Sequence, residues 1–160
     1  MKTGFRNSKK DLIFYTDGDG QYDVKEMKRL LTRIDKSDIV NGYKIKRADR
    51  LYRVVLGGMY NLAAKILFNI KMKEIDCDFR LMRRKIFDKI ELESDSGVIC
   101  VEMMKKIQSA GFKISDVPVH HYPRVSGSSQ FFKLTRLVPV FIGLMRQWLK
   151  LVVFAGFGKE

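Results

Sequence analysis

Asp17, Asp19 and Gln21 stand at alternate positions in the stretch KDLIFYTDGDGQYD, Lys10 to Asp23, directly after an apolar, aromatic-rich run. Alternate residues of an extended loop can aim two carboxylates at one point, and Gly18 and Gly20 let the backbone approach a ligand closely. Such a donor set suits a hard divalent cation. Mg²⁺ commonly takes one or two carboxylates and completes its shell with water and substrate phosphate oxygens; Gln21 offers a further neutral oxygen. An ion held there would neutralise charge on a departing diphosphate. An EF-hand loop is excluded, because its glycine position is Tyr22 and its closing glutamate position is Lys28. A dinucleotide fingerprint is excluded by Asp23 where its third glycine belongs. The competing reading is a plain surface turn, in which Asp and Gly are routine.

The elements around this loop read as an α/β domain. DLIFYT, Asp11 to Thr16, is a buried strand running into the loop. Val24 to Ile34 has Met27, Leu30, Leu31 and Ile34 at helical spacing behind Asp23 as N-cap. DIVNGY, Asp38 to Tyr43, is a second strand, and a second helix covers about Tyr52 to Phe68. Phe79 to Arg84 reads as a short strand, Gly97 to Ala110 as a helix ended by Gly111, and Phe112 to Val119 as an edge strand because of Pro118. Strands alternating with helices predict a mostly parallel sheet with flanking helices, and in such sheets ligands bind beyond the carboxyl ends of strands, where Asp17 and Asp19 lie.

Composition bounds the partners. The 160 residues are 46% hydrophobic with a mean hydropathy of −0.17, enough for one domain with a core. Net charge is +13, which favours anionic partners: nucleic acid, phospholipid headgroups or phosphorylated substrates. Cys77 and Cys100 lack any paired spacing and read as packed thiols in a reducing compartment. His120 and His121 are adjacent without further ligands in their loop, which argues against zinc.

Four segments in order, KTGFRNSKKDLIFYTDGDGQYD, DIVNGYKIKRADRLYRVVLGGMYN, IDCDFRLMRRKIF and DVPVHHYPRVSGSSQFFKL, resemble the family 2 glycosyltransferases, especially the branch similar to dolichyl-phosphate mannose and polyprenyl-phosphate glucose synthases. The likeness covers about Lys2 to Leu137. It implies part of a GT-A fold, a nucleotide-diphosphate sugar donor, a Mg²⁺ or Mn²⁺ ion, and inverting transfer of a hexose, often to a polyprenyl phosphate. By that resemblance Asp17 and Asp19 are the DxD pair and Gln21 a further ligand. Lys44 stands where an arginine is frequent; Arg53, with Arg50 as helper, would contact phosphate. Arg80 falls in a segment usually written with Gly before Phe, a place taken here by Asp78. Arg124, with Gly127, Ser128 and Ser129, resembles a mobile acceptor loop closing over phosphate. Glu102 matches an acidic position near the acceptor side. It would act as general base for a hydroxyl acceptor, whereas a phosphate acceptor is already an anion and needs none.

The resemblance also implies an opening strand, helix and strand that hold the nucleotide base, which are not in this chain; a fragment is expected, with residues 1–132 as the C-terminal part of the domain. Its isolated activity is in question and its sheet would have an open edge. From Lys133 to Val153, Lys133, Arg136, Arg146, Gln147 and Lys150 fall within roughly 140° of helical arc, opposite Leu134, Phe141, Met145, Trp148 and Val152. Residues 133–160 therefore read as an amphipathic helix, starting or kinking at Pro139, and a tail. The helix either lies on the cytoplasmic membrane face or packs on the domain. The alternative function is a nonenzymatic basic module for nucleic acid or anionic membrane. Nucleic acid is disfavoured by the absence of a recognisable binding motif and by the acids at 17, 19 and 23.

Overall fold

The computed structural model describes residues 1–45, 51–124 and 134–154. Helix α1 (Lys2–Asn7) precedes strand β1 (Leu12–Thr16). A 3₁₀ turn, Val24–Glu26, leads into α2 (Met27–Ile34), and the Asp23 carboxylate accepts from the Lys25 amide at 2.9 Å, the capping role its residue type suggests. Then come β2 (Ile39–Lys44), α3 (Leu51–Phe68), β3 (Phe79–Arg83), α4 (Ile99–Ser109), β4 (Ile114–Val119) and α5 (Leu134–Trp148), which continues into a π-helical turn, Leu149–Val153. Gly111, at φ +79°, follows α4 in the left-handed conformation that ends helices. Helix α5 begins at Leu134 and carries Pro139 inside it.

The strands form one mixed sheet in the order β1-β3-β2-β4. This corrects the expectation of a mostly parallel sheet: only β2 and β4 pair in parallel, while β3 runs antiparallel to both β1 and β2. The reason lies in the connection. Helix α3 and residues 69–78 return the chain to the end of the sheet that β1 and β2 have just reached, so Phe79 opens β3 opposite Thr16, the last residue of β1. An amphipathic segment between two strands looks the same in sequence whether the next strand starts at the near or the far end. Strand β4 pairs with β2 alone, in keeping with Pro118 at an edge.

Side-chain alternation splits the core between two faces. Val40, Phe79, Leu81, Val117 and Val119 meet Leu30 and Ile34 of α2 on one; Ile13, Ile39 and Met82 meet Phe5, Phe68, Met103, Met104 and Ile107 from α1, α3 and α4 on the other. Helix α5 joins the second face through buried Leu144, with Met145 and Trp148 packed against it. Residues Leu51, Val55, Met59, Leu62 and Ile66 of α3 face outward instead, each more than half exposed. Val138 and Phe141 of α5, which touches α3, do likewise.

Buried polar groups hold the 69–78 return in place. Arg80, fully buried, donates to Asn41 Oδ1 at 2.8 Å and to the Ile75 carbonyl, and lies 3.6 Å from Asp78 Oδ1. Asn41 donates in turn to the Glu74 carbonyl at 2.8 Å. Lys44 closes the other side, its amide and its Nζ both reaching the Glu74 carboxylate, at 2.8 and 3.1 Å. At the far end of α4, Glu93 accepts from Lys106 and Lys150, and these two lysines hold its carboxyl down to about 2.

Gly42 is where sheet and return press closest. A Cβ there would stand 2.9 Å from the Phe79 carbonyl, 3.0 Å from Val119 Cγ2 and 3.2 Å from Cys77 Sγ. Gly42→Ala is expected to lower unfolding free energy by about 1–3 kcal/mol, the usual cost of overpacking, measured by urea denaturation. An unchanged midpoint would show that the sheet yields at this point.

Candidate active site at the carboxylate loop

Strand β1 delivers Asp17 to the carboxyl end of the sheet, and the antiparallel β3 brings a second acidic segment to the same end. The Asp17 amide donates to the Asp78 carbonyl at 3.3 Å, so the two loops leave the sheet side by side. Gly20 turns the chain at φ +74°. Asp19 Oδ1 then accepts from the Gln21 amide at 3.1 Å, which fixes the carboxylate and leaves Oδ2 outward.

Asp17 is open to solvent on one side and hemmed by protein on the other. Partial burial, followed by the charges of Asp78, Asp19 and Asp76, pushes its carboxyl up to about 6, with Lys44 pulling the other way. Negative charge therefore gathers at this end of the sheet. The segment after β4 lies against the loop: the Tyr122 amide donates to the Gln21 carbonyl at 2.8 Å, and Gln21 Nε2 donates to the Tyr122 carbonyl at 3.1 Å. Arg124 Nη2 reaches Asp19 Oδ2 at 2.7 Å and Gln21 Oε1 at 3.3 Å. Among the described residues no three His, Cys, Asp or Glu side chains converge as a complete metal cage. Two carboxylates and one amide oxygen fit an ion that takes its remaining ligands from phosphate and water.

The structure thus gathers Asp17, Asp19, Gln21 and Arg124. Lys44 and Arg80 lie at the same end but are committed to the return loop, as salt-bridge and hydrogen-bond partners of Glu74, Asn41 and Asp78. Arg53 sits in the first turn of α3, its Nε donating to Tyr52 Oη at 3.0 Å. Arg50 and Ser128, with Gly127 and Ser129, lie outside the described residues. Glu102 is fully buried in α4 and accepts from the amides of Glu93 and Ser94, both at 2.8 Å, while Lys106 pairs with it at 2.8 Å. Cys100, two residues earlier and so about 200° around the helix, is the side chain that turns toward Asp78, at 3.4 Å. Glu102 therefore points away from the carboxylate loop and organises residues 93–94.

Asp76, Asp78 and the backbone of Tyr122 are the participants that sequence reasoning missed. Their signal was the alternation of acids in IDCDF ahead of a strand, legible only once that strand is known to run backwards. Both cysteines are buried and free, and burial pushes the Cys77 thiol up to about 11, which leaves it unreactive. A cleft of about 350 Å³ lies elsewhere, between α1 and residues 87–92, and has no acid-loop residue in its lining.

The carboxylates lie beyond the strand ends, the place where open α/β sheets bind their ligands. Residues 1–91 match the Glycosyl transferase family 2 model, more than half of the chain, and the protein belongs to that family. Its α/β architecture is part of a GT-A fold. Similar curated proteins include a Haloferax volcanii glycosyltransferase, AglD, 22% identical over 96% of this chain and 26% of that protein. The undecaprenyl-phosphate 4-deoxy-4-formamido-L-arabinose transferase of Pseudomonas fluorescens is 26% identical over 91% of this chain and 42% of its own length. The polyprenol monophosphomannose synthase of Mycolicibacterium smegmatis is 26% identical over 71% and 46%. The chain spans from about a quarter to under half of these relatives.

The raised Asp17 value has a stability consequence. Because the folded-state value exceeds that of a free carboxyl, ionising Asp17 opposes folding, so its contribution falls as pH rises from about 4 to about 6 and stays lost above. Asp17→Asn is expected to melt above wild type near neutral pH in EDTA, by less than about 1 kcal/mol after solvent screening, and to converge with it near pH 4. Thermal melts across that range decide the point; a gap that widens in acid contradicts it.

Proposed function

We propose that this chain is part of a glycosyltransferase domain that moves a hexose, with inversion, from a nucleotide-diphosphate sugar to a polyprenyl phosphate, using Mg²⁺ or Mn²⁺. The observation that carries the reading is the carboxylate loop at the strand ends of a family 2 domain, facing a second set of acids and an arginine. Two relatives are named for undecaprenyl phosphate and polyprenol monophosphomannose, which supports the lipid phosphate as acceptor. Their sugars differ, so the choice of a hexose rests on the resemblance to the mannose and glucose branch.

In this reading Asp17 and Asp19, with Gln21, hold the ion. A divalent cation there would offset the charge that gathers on the leaving diphosphate as the anomeric carbon–oxygen bond breaks. An acceptor phosphate oxygen forms the new bond from the opposite face of the sugar, which gives inversion. No base is needed, since the attacking oxygen is already ionised, and this agrees with a Glu102 turned toward residues 93–94. Arg124, Arg53, Arg50 and Ser128 neutralise and position the phosphates, and Lys44 and Arg80 serve by fixing the acidic return.

Calorimetry tests this with GDP or UDP on the full chain. The expected result is binding that requires Mn²⁺ and falls at least about tenfold in Asp19→Ala. Metal-independent polynucleotide binding that weakens steeply with salt would favour the basic binding module instead.

The membrane face belongs to the same proposal. Among the described residues no helix is long and apolar enough to cross a membrane. The exposed apolar stripe of α3 adjoins exposed Val138 and Phe141 of α5, on a chain of net charge +13, which supports peripheral attachment to an anionic cytoplasmic surface. The chain is expected to float with phosphatidylglycerol vesicles. Replacing Met59 and Leu62 together by Glu should cut the bound fraction's partition constant at least about tenfold, since each buried apolar side chain contributes roughly 1.5–3 kcal/mol. Equal flotation of the two proteins rejects that face.

A further inference from the structure

We propose that Arg124 is a built-in occupant of the cation position: its guanidinium holds Asp19 and Gln21 while no metal is present, and metal uptake exchanges one for the other and frees Arg124 for phosphate. The proposal rests on the metal reading above and adds a competitor to it. One nitrogen, Nη2, contacts both Asp19 Oδ2, at 2.7 Å, and Gln21 Oε1, at 3.3 Å. These are two of the three oxygen donors assigned to the ion.

Both oxygens are oriented before Arg124 arrives. Asp19 Oδ1 is occupied by the Gln21 amide at 3.1 Å, so Oδ2 is the outward atom. Gln21 Nε2 is occupied by the Tyr122 carbonyl at 3.1 Å, which leaves Oε1 for Arg124. A receptor shaped by its own hydrogen bonds for one positive centre does not distinguish a guanidinium from a metal ion by charge sign; it does so by charge magnitude and by Asp17. The guanidinium brings one positive charge against the acids of this strand end, whereas a divalent ion brings two and engages Asp17 as well.

The arginine is held locally by a short tether. The Tyr122 amide bonds the Gln21 carbonyl at 2.8 Å, His120 bonds Glu26 through its amide and Nδ1 at 3.2 and 2.8 Å, and Arg29 reaches the Pro118 carbonyl at 3.2 Å. Arg124 is two residues beyond the last of these anchors. Losing Asp19 therefore leaves its planar fork close to the ion, where diphosphate oxygens would lie and where bidentate contact is favoured. Linkage makes the effect reciprocal: an anion that draws Arg124 away tightens metal binding, and metal tightens anion binding by the same factor.

Mn²⁺ titration of the full chain without nucleotide, read by calorimetry and by the free-ion paramagnetic resonance signal, tests the exchange. Arg124→Ala and Arg124→Gln are each expected to bind Mn²⁺ about two- to fivefold more tightly than wild type, the range for releasing a partly exposed ion pair. Agreement between the two variants separates loss of the guanidinium from altered packing. Unchanged or weaker binding in both, with uptake still abolished by Asp19→Asn, overturns the exchange and leaves the metal reading standing. No uptake by wild type or by either variant overturns the metal reading, and the exchange with it.

Discussion

The buried contact between Arg80 and Asn41 is the constraint on which the site depends. It joins β3 to β2 at the sheet's carboxyl end and secures the carbonyl of Ile75, and so sets where the return from α3 enters the sheet. A guanidinium withdrawn from water is costly unless its donors are satisfied. Asn41 Oδ1 takes Nε and the Ile75 carbonyl takes Nη2, with the Asp78 carboxylate nearby, while buried Nη1 has no hydrogen-bond partner among the described residues; the two bonds that form do so in one arrangement of the return. The reversed strand is thereby specified by polar geometry as well as by apolar packing.

The reversal creates the chemistry. A parallel β3 would begin at the opposite end, and Asp76 and Asp78 would lie a strand's length from Asp17. Running backwards, β3 starts beside Thr16, and partial burial, followed by repulsion from the gathered acids, lifts the Asp17 carboxyl to about 6. Concentrated negative charge is a poor receptor for a diphosphate and a good one for a cation that a diphosphate can share. Electrostatics and family membership therefore point the same way.

Much of this was legible in the residues. The run ending at Thr16, the Asp23 cap, the helix reaching Phe68, Gly111 and the edge position of Pro118 each rest on local chemistry, and each appears where that chemistry puts it. The carboxylate loop was legible too, since apolar sequence ending in Asp and Gly says where a strand opens toward ligands. Strand direction was not, because β3's orientation is decided by contacts of Arg80 and Lys44 with residues 74–78, more than thirty positions from β2 at their widest. Cations were the hardest residues to place. Lys44, Arg80 and Arg124 have the same charge in sequence, yet two support a loop and one sits on Asp19 and Gln21. The orientation of Glu102 was equally hidden, because the partners that claim it are backbone amides, which every sequence has.

The lysine pair on Glu93 gives α5 an attachment unlike the rest of its footing. Lys150, from the π-helical turn, and Lys106, from α4, share one solvent-exposed carboxylate, whereas Leu144 and Trp148 grip the core without charges. Mobile ions shield the former and barely touch the latter. Brine should loosen the tip of this helix while its middle stays seated, and acid withdraws the same support as pH falls from about 4.5 toward about 2. During purification the two ends of one helix thus answer to different solvents.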